Sequence, residues 1–295
     1  MKLYMKKNKI QLFDVVVYSI ATILLILVLY PLLLVIFNSV SDPGLVATGK
    51  VIFLPKGFNL GGYVEFFKDK DILVGYANTF FYTIMGTCIN LCVTVPAGYA
   101  LSKKTIPGKT FFMTMFMITM YFSGGMIPLF LVVNKLGLYN TRWVLLILGA
   151  FSTYNCIICK SFFGSMPHDI EEAAEVDGCS PMTTFIKVVL PISKALLGVM
   201  VLYFAVGHWN SYFNALIYIK DDSKQPLQIF LRRILILAEK VASNELGGEV
   251  DTSIVEKEAL LRYSSIVVSS LPLLIIYPFF QKYFEKGVLI GSVKG

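Results

Sequence analysis

Few residues in this sequence have both the type and the spacing to do chemistry, and most such groupings fail a second condition. Gly44-Leu45-Val46-Ala47-Thr48-Gly49-Lys50 has the glycine and lysine spacing with which backbone amides cradle nucleotide phosphates. Val51, however, stands where a Ser or Thr should hold magnesium, and the stretch follows a long apolar run rather than a strand. ATP binding by this chain alone is therefore not expected. Two histidines occur, His168 and His208, in separate segments, which is too little for a histidine-activated nucleophile. Cys156 and Cys159 form a C-x-x-C, and Cys88 and Cys92 lie one helical turn apart, but no His, Asp or Glu accompanies either pair within its apolar run. All four read as small buried packing residues, Cys179 reads as a free thiol, and no metal or cofactor is expected.

Two groupings survive. Asp169, Glu171, Glu172, Glu175 and Asp177 crowd between Pro167 and Gly178. Ser165 as cap and Pro167 in the first turn open a short helix whose positive end the acids favour and which Gly178 terminates. Ser180 and Pro181 open a second helix, which Pro191 stops after Val188, Val189 and Leu190. A solvated connection would account for the charge. The paired start signals, the small Ala173-Ala174 step and the placed glycine fit a docking element better. The other grouping is Trp209, Asn210, Tyr212, Phe213 and Asn214, whose aromatic faces and amides suit stacking on a sugar ring and hydrogen bonding to its hydroxyls. An interfacial aromatic belt explains the Trp and Tyr as well, but explains the asparagines less readily.

The elements that must position these residues follow from composition. Of 295 residues, 56% are hydrophobic and only 15% charged, too little polar surface to coat a soluble globule. Uncharged runs extend over Val15–Ser41, Ile72–Ser102, Thr110–Asn134, Trp143–Cys159, Ala195–Ile219 and Tyr263–Gln281. Each reaches the roughly 17 residues a helix needs to cross a bilayer. The expected fold is an all-α membrane protein with six transmembrane helices, at about 15–38, 77–101, 111–133, 143–162, 195–219 and 263–283. The first is read as retained, being too long for the apolar region of a cleaved signal peptide. No Asp or Glu lies inside any run, which counts against an intramembrane aspartyl protease and against gradient-driven transport.

Lysines set the orientation. Four lie in the flank 1–14, Lys103, Lys104 and Lys109 follow the second run, and Lys282, Lys286 and Lys294 follow the sixth. These three segments are read as cytoplasmic. The flank 1–14, the loop 165–191 and the tail 285–295 are then on the cytoplasmic side of the cell membrane, the spanning domain covers 15–284, and the loop 220–262 is extracellular. Within that outer loop, the stretch from Gln225 to Arg233 reads as an amphipathic helix lying on the membrane. The net charge of +7 serves orientation, and nucleic-acid binding is not expected.

The acidic loop carries a resemblance. Glu172-Ala173-Ala174, three residues, Gly178, nine residues, Val188, one residue and Leu190-Pro191 resembles the EAA motif of permease subunits of ABC importers. Val188 replaces the usual isoleucine, and Lys194 stands where a second proline often follows. The tail from Lys286 to Gly295, Ser123-Gly124-Gly125-Met126-Ile127-Pro128, Leu136-Gly137-Leu138-Tyr139-Asn140-Thr141 and the stretch His208 to Ala215 resemble the MalG-type carbohydrate permeases, most of all the Lpl or Ytc type that handles complex oligosaccharides. The resemblance runs from about Asn78 to Gly295. It implies the MetI/MalG-like fold with a cytoplasmic coupling helix. It also implies a heterodimer with a second homologous permease, two cytoplasmic ATPase subunits, a solute-binding protein facing the outer loop, membrane lipid around the spans and a carbohydrate as cargo.

The same resemblance assigns Glu172, Ala173, Ala174, Asp177, Gly178, Leu190 and Pro191 to coupling with the ATPase, and Gly291, Val293, Lys294 and Gly295 to a tail contact with it. Trp209, Asn210, Tyr212 and Asn214 are the expected substrate path. The chain is thus expected to be half of an importer's translocation path and not an enzyme. The rival readings are a scaffold or channel subunit gating a passive pore and, more distantly, a membrane-embedded glycan-processing enzyme.

Overall fold

The computed structural model describes residues 12–242 and 252–292, and among these every regular element is helical. In chain order the helices are α1 (Leu12–Ser39), α2 (Pro43–Ala47), α3 (Gly61–Lys68), α4 (Lys70–Ser102), α5 (Lys109–Tyr121), α6 (Met126–Lys135), α7 (Arg142–Ile147) and α8 (Thr153–Gly164). They continue with α9 (Asp169–Val176), α10 (Pro181–Thr184), a π-helical turn (Phe185–Val189), α11 (Leu190–Ile192), α12 (Lys194–Trp209) and α13 (Phe213–Tyr218). After a 3₁₀ turn (Asp222–Lys224) come α14 (Leu227–Ala242) and α15 (Thr252–Ser292). These elements fall into two compact units, one within Met1–Lys68 and Ile234–Ser269, the other within Asp69–Arg233 and Ser270–Gly295.

In the first unit, α1 is apolar on all sides and its spanning window is wholly exposed, as befits a helix whose solvent is lipid. The segment after it is tied down by Asp42, whose backbone N–H donates to the Lys56 carbonyl at 2.9 Å, and by a 2.7 Å bond between the Ser39 and Tyr63 hydroxyls. The stretch from Gly44 that approximates a phosphate loop is here a helical turn capped by the Asp42 carboxylate, which accepts from Gly44 and Leu45 N–H. Its leading amides are therefore already engaged.

In the second unit, α4 is the central helix and packs along α8 and α12. Asp69 caps it by accepting from Asp71 and Ile72 N–H. Gly86 lets α12 approach closely, because a Cβ there would collide with the His208 ring. Val95, Cys159, Phe163, Phe185, Val189, Leu196, Met200 and Phe204 form the core on the side of the acidic loop. Cys156 and Cys159 are buried packing residues, whereas Cys88 and Cys92 are exposed on α4, so the expectation of burial fails for that pair.

Three helices are long and apolar enough to cross a membrane, Leu12–Ser39, Lys70–Ser102 and Leu261–Gln281, and two bent pairs raise the count to at most five among the described residues. The expected span 111–133 is the pair α5 and α6, bent by 114°, where Phe122 is extended and Gly125 has φ of 88°. The expected span 143–162 is not one helix. It divides into α7 and α8 at Leu148–Ser152, where the Ser152 hydroxyl caps α8 through Asn155 N–H. The span 195–219 is broken at Asn210–Tyr212. Uncharged length alone does not report breaks made by Gly, Ser and Asn. The sixth span lies within α15, which stays helical past residue 284 to Ser292, so the part of the expected tail at 285–292 is helix.

Candidate functional site

The acidic loop is built as two helices around a glycine turn. At the end of α9 the Gly178 N–H donates to the Glu175 carbonyl at 2.9 Å and the Cys179 N–H to the Ala174 carbonyl at 2.9 Å, the paired bonds of a Schellman ending. Gly178 has φ of 76°, a left-handed conformation that costs residues with a Cβ energy, and it faces open space. Ser180 caps α10 by accepting from Thr183 N–H, as its sequence position predicts.

Two expectations about this loop are corrected. Ser165 does not cap α9; it closes α8, with its hydroxyl donating to the Phe162 carbonyl at 2.7 Å, because α8 runs on to Gly164 and claims it. Pro191 does not stop the second helix. The π-helical turn before it continues into α11, and the chain then bends by 84° into α12. A widened turn is the usual accommodation for a proline, which lacks an N–H and crowds the preceding turn. The Ser193 hydroxyl donates to the Val189 carbonyl at 2.7 Å at the bend.

The loop has an outward and an inward face. Glu172, Ala173, Glu175, Val176, Asp177 and Gly178 are exposed, as are Met182, Ile186 and Pro191, while Leu190 is half-buried and Ala174 is buried. Glu172 has His168 as a neighbour on the same helix face, with Nδ1 at 3.9 Å from its carboxylate. Glu171, adjacent in sequence, points the other way into an ion pair with Lys103 at the end of α4. Lys103 also lies over the Tyr99 ring at 4.0 Å, and Tyr99 stacks on Phe185 at 4.6 Å. Between these elements is a cavity of about 520 Å³, walled in part by Tyr99, Lys103, Glu171, Glu175, Thr184 and Phe185. Motif and spacing single out neither Lys103 nor Glu171, since no spacing rule links positions 68 apart.

Of the tail residues, Gly291 falls in α15, and Val293, Lys294 and Gly295 lie outside the described residues.

A second cavity, of about 290 Å³, opens between α4, α8, α12 and α13 and includes Asn90, Ser152, Asn155, His208, Ser211 and Asn214. Asn90 donates through Nδ2 to the Gly149 carbonyl, so its Oδ1 accepts from His208 Nε2 at 2.6 Å. Among the four expected path residues, only Asn214 lines this space. Trp209 is buried and meets the edges of Phe80 and Tyr76 at 5.1 and 5.8 Å. Asn210 is exposed, its amide donating to the Val206 carbonyl, and Tyr212 lies under Arg232 at 5.3 Å. Asn90 and Asn155 belong to no motif in the sequence, although an amide within an apolar run is a legible sign of an internal polar site.

At the far end of α4 the motif around Asn140 becomes a clasp. Asn140, with φ of 58°, accepts through Oδ1 from the Lys220 and Asp221 N–H groups at 3.0 and 2.9 Å. Asn78 donates to the Ser223 carbonyl at 2.8 Å and accepts from Arg142 at 2.9 Å.

Residues 72–290 match the family of binding-protein-dependent transport system inner membrane components. LplC of Bacillus subtilis is 39% identical over 265 residues, covering 90% of this chain and 89% of its own. The polygalacturonan/rhamnogalacturonan transport system permease protein YtcP of the same organism is 36% identical, covering 97% and 100%. Among solved structures, a chain of a bacterial ABC transporter involved in the import of the acidic polysaccharide alginate superposes with a TM-score of 0.83 at 33% identity, covering 95% of this chain and 99% of that one. The fold and the EAA loop therefore define an ABC importer permease subunit. The chain belongs to the binding-protein-dependent inner-membrane permease family, and as such it is not an enzyme.

Proposed function

We propose that this chain forms half of the translocation path for an oligosaccharide, in a heterodimer with a second permease driven by two cytoplasmic ATPase subunits and supplied by a solute-binding protein. The observation that carries this reading is the two-faced acidic loop. Its outward face presents Glu172, Ala173, Asp177 and Gly178 on a hydrogen-bonded turn, and its inward face is joined to α4 through Glu171. A docked ATPase that displaced the outward face would thereby displace the helix that lines the polar cavity. The relatives support a saccharide cargo, since YtcP and the alginate transporter are named for polysaccharides.

In this reading the chain crosses the cell membrane six times with both termini in the cytoplasm, the bent α5–α6 pair and the divided α7–α8 segment each serving as one crossing. Leu190 and Pro191 carry the loop's movement into α12, and the tail from Gly291 to Gly295 reaches the ATPase pair. Asn214 lines the polar cavity of the path, and Trp209, Asn210 and Tyr212 stand toward its outer end. The test is purification of the tagged chain with its native partners, followed by uptake into proteoliposomes. Co-purification of a second permease and an ATPase, with uptake that requires ATP, is the expected result. Solute entry without ATP would instead establish the passive-pore reading.

A further inference from the structure

We propose that the cavity of about 290 Å³ is a subsite for a single uncharged sugar unit, selecting hydroxyls and refusing carboxylates. This rests on the permease reading above and deepens it.

The first ground is the lining. Asn90, Asn155 and Asn214 supply amides, Ser152 and Ser211 hydroxyls and His208 an imidazole, and no Lys, Arg, Asp or Glu is among the described residues that line it. Amides and hydroxyls both donate and accept, which matches the hydroxyls of a sugar. A uronate carboxylate placed there would be desolvated without a cation to pair with it.

The second ground is rigidity. The two bonds of Asn90 orient its amide and hold His208 as a donor at Nε2, so one wall is fixed before any ligand arrives. The third is placement. Asn90 lies 12 residues before Ser102, the cytoplasmic end of α4 in the proposed orientation, which is about 18 Å along the helix and near the bilayer midplane. The fourth is what lies along the same face. Thr87 and Thr94, one turn to either side of Asn90, are buried with hydroxyls that have no hydrogen-bond partner among the described residues. Buried unpaired hydroxyls call for an explanation. A path that opens along this face and meets polar cargo supplies one. The volume, at the small end for ligand sites, suits one ring.

The relatives named for acidic polysaccharides sharpen the claim, because any carboxylate of such a cargo must then be held outside this cavity. The test uses the complex purified with its partners in lipid nanodiscs, with native cysteines replaced and Ser211→Cys as a thiol reporter in the cavity wall. Tyr154→Cys, exposed beside Asn155, is the control. A neutral tetrasaccharide of galactose, arabinose or glucose should slow labelling of Ser211→Cys at least tenfold and leave Tyr154→Cys unaffected, while tetragalacturonate slows neither. Adding Ser152→Lys should make tetragalacturonate slow labelling of Ser211→Cys at least tenfold, a gain that misfolding cannot produce. Equal protection by tetragalacturonate without the lysine overturns the proposal. So does absence of protection by every saccharide while one of them stimulates ATP hydrolysis. If no saccharide stimulates hydrolysis, the saccharide-cargo reading on which this proposal rests fails.

Discussion

Lys103 and Glu171 lie 68 positions apart and form an ion pair whose side chains are only 24% and 14% exposed. The pair joins the Lys103 end of α4 to the helix bearing Glu172, and the Tyr99 ring shields it from one side. Removing one member strands a partly desolvated charge. Glu171→Gln should therefore cost about 1–3 kcal/mol, less than a fully buried pair because some water remains. Thermal unfolding of the detergent-solubilised complex should show a lower midpoint, and Lys103→Glu combined with Glu171→Lys should recover more than half of the loss. Equal stability of single and reversed variants would mean that the pair holds nothing together.

Glu172 is the contrasting acid. Its side chain is 62% exposed, and the His168 ring nitrogen lies 3.9 Å away. Glu172→Ala should change the stability of the subunit by less than about 0.5 kcal/mol. It should weaken ATPase attachment by about 2–5 kcal/mol if a basic groove residue is left unpaired. Recovery of ATPase subunits on the tagged chain measures this directly, and full recovery would remove Glu172 from the docking surface.

Gly178 acts through its backbone. Its φ is 76°, and no atom of the described residues lies within 4 Å of the point where a Cβ would stand, so a Cβ there meets only the left-handed conformation. Gly178→Val should cost about 1–2 kcal/mol from strain, and Gly178→Asn less, since Asn tolerates that region. In reconstituted vesicles both should lower sugar-stimulated ATP hydrolysis, Val more than Asn, with membrane levels unchanged. The reverse order would show that size against the ATPase, and not φ, governs the position.

The Asn140 clasp predicts a pH response with a defined sign. The Ser223 hydroxyl and then Lys224 hold the Asp221 carboxyl at about 2, below its ordinary 3.8. A lowered folded value means that the contribution is complete above about pH 4 and is lost as pH falls toward 2. Hydrogen exchange corrected for its intrinsic pH dependence should show constant protection of residues 219–225 from about pH 7 to 5 and loss near 2. Asp221→Asn should flatten that profile; an unchanged profile would assign the loss to other groups.

Orientation is tested by thiol labelling from either side. Cys179 should react with a membrane-impermeant reagent only from the cytoplasmic face, and Lys220→Cys only from the outer one. Both reacting from one face would defeat the six-crossing arrangement.

The sequence by itself determined the membrane class, the helical fold and the glycine turn of the acidic loop. Those rest on properties local in the chain: apolar run length, the capping chemistry of Ser180, and the need for a residue without Cβ at Gly178. Family membership was legible for the same reason, because the EAA motif is a contiguous spacing. Tertiary structure decided which of two adjacent acids faces outward, since the choice between Glu171 and Glu172 depends on where the end of α4 places Lys103. It also decided that Trp209 packs against Phe80 and Tyr76 while Asn90, Asn155 and Asn214 share a cavity. No pattern along one helix specifies that grouping, because it is made by four segments brought together through close approaches such as that of Gly86 to His208.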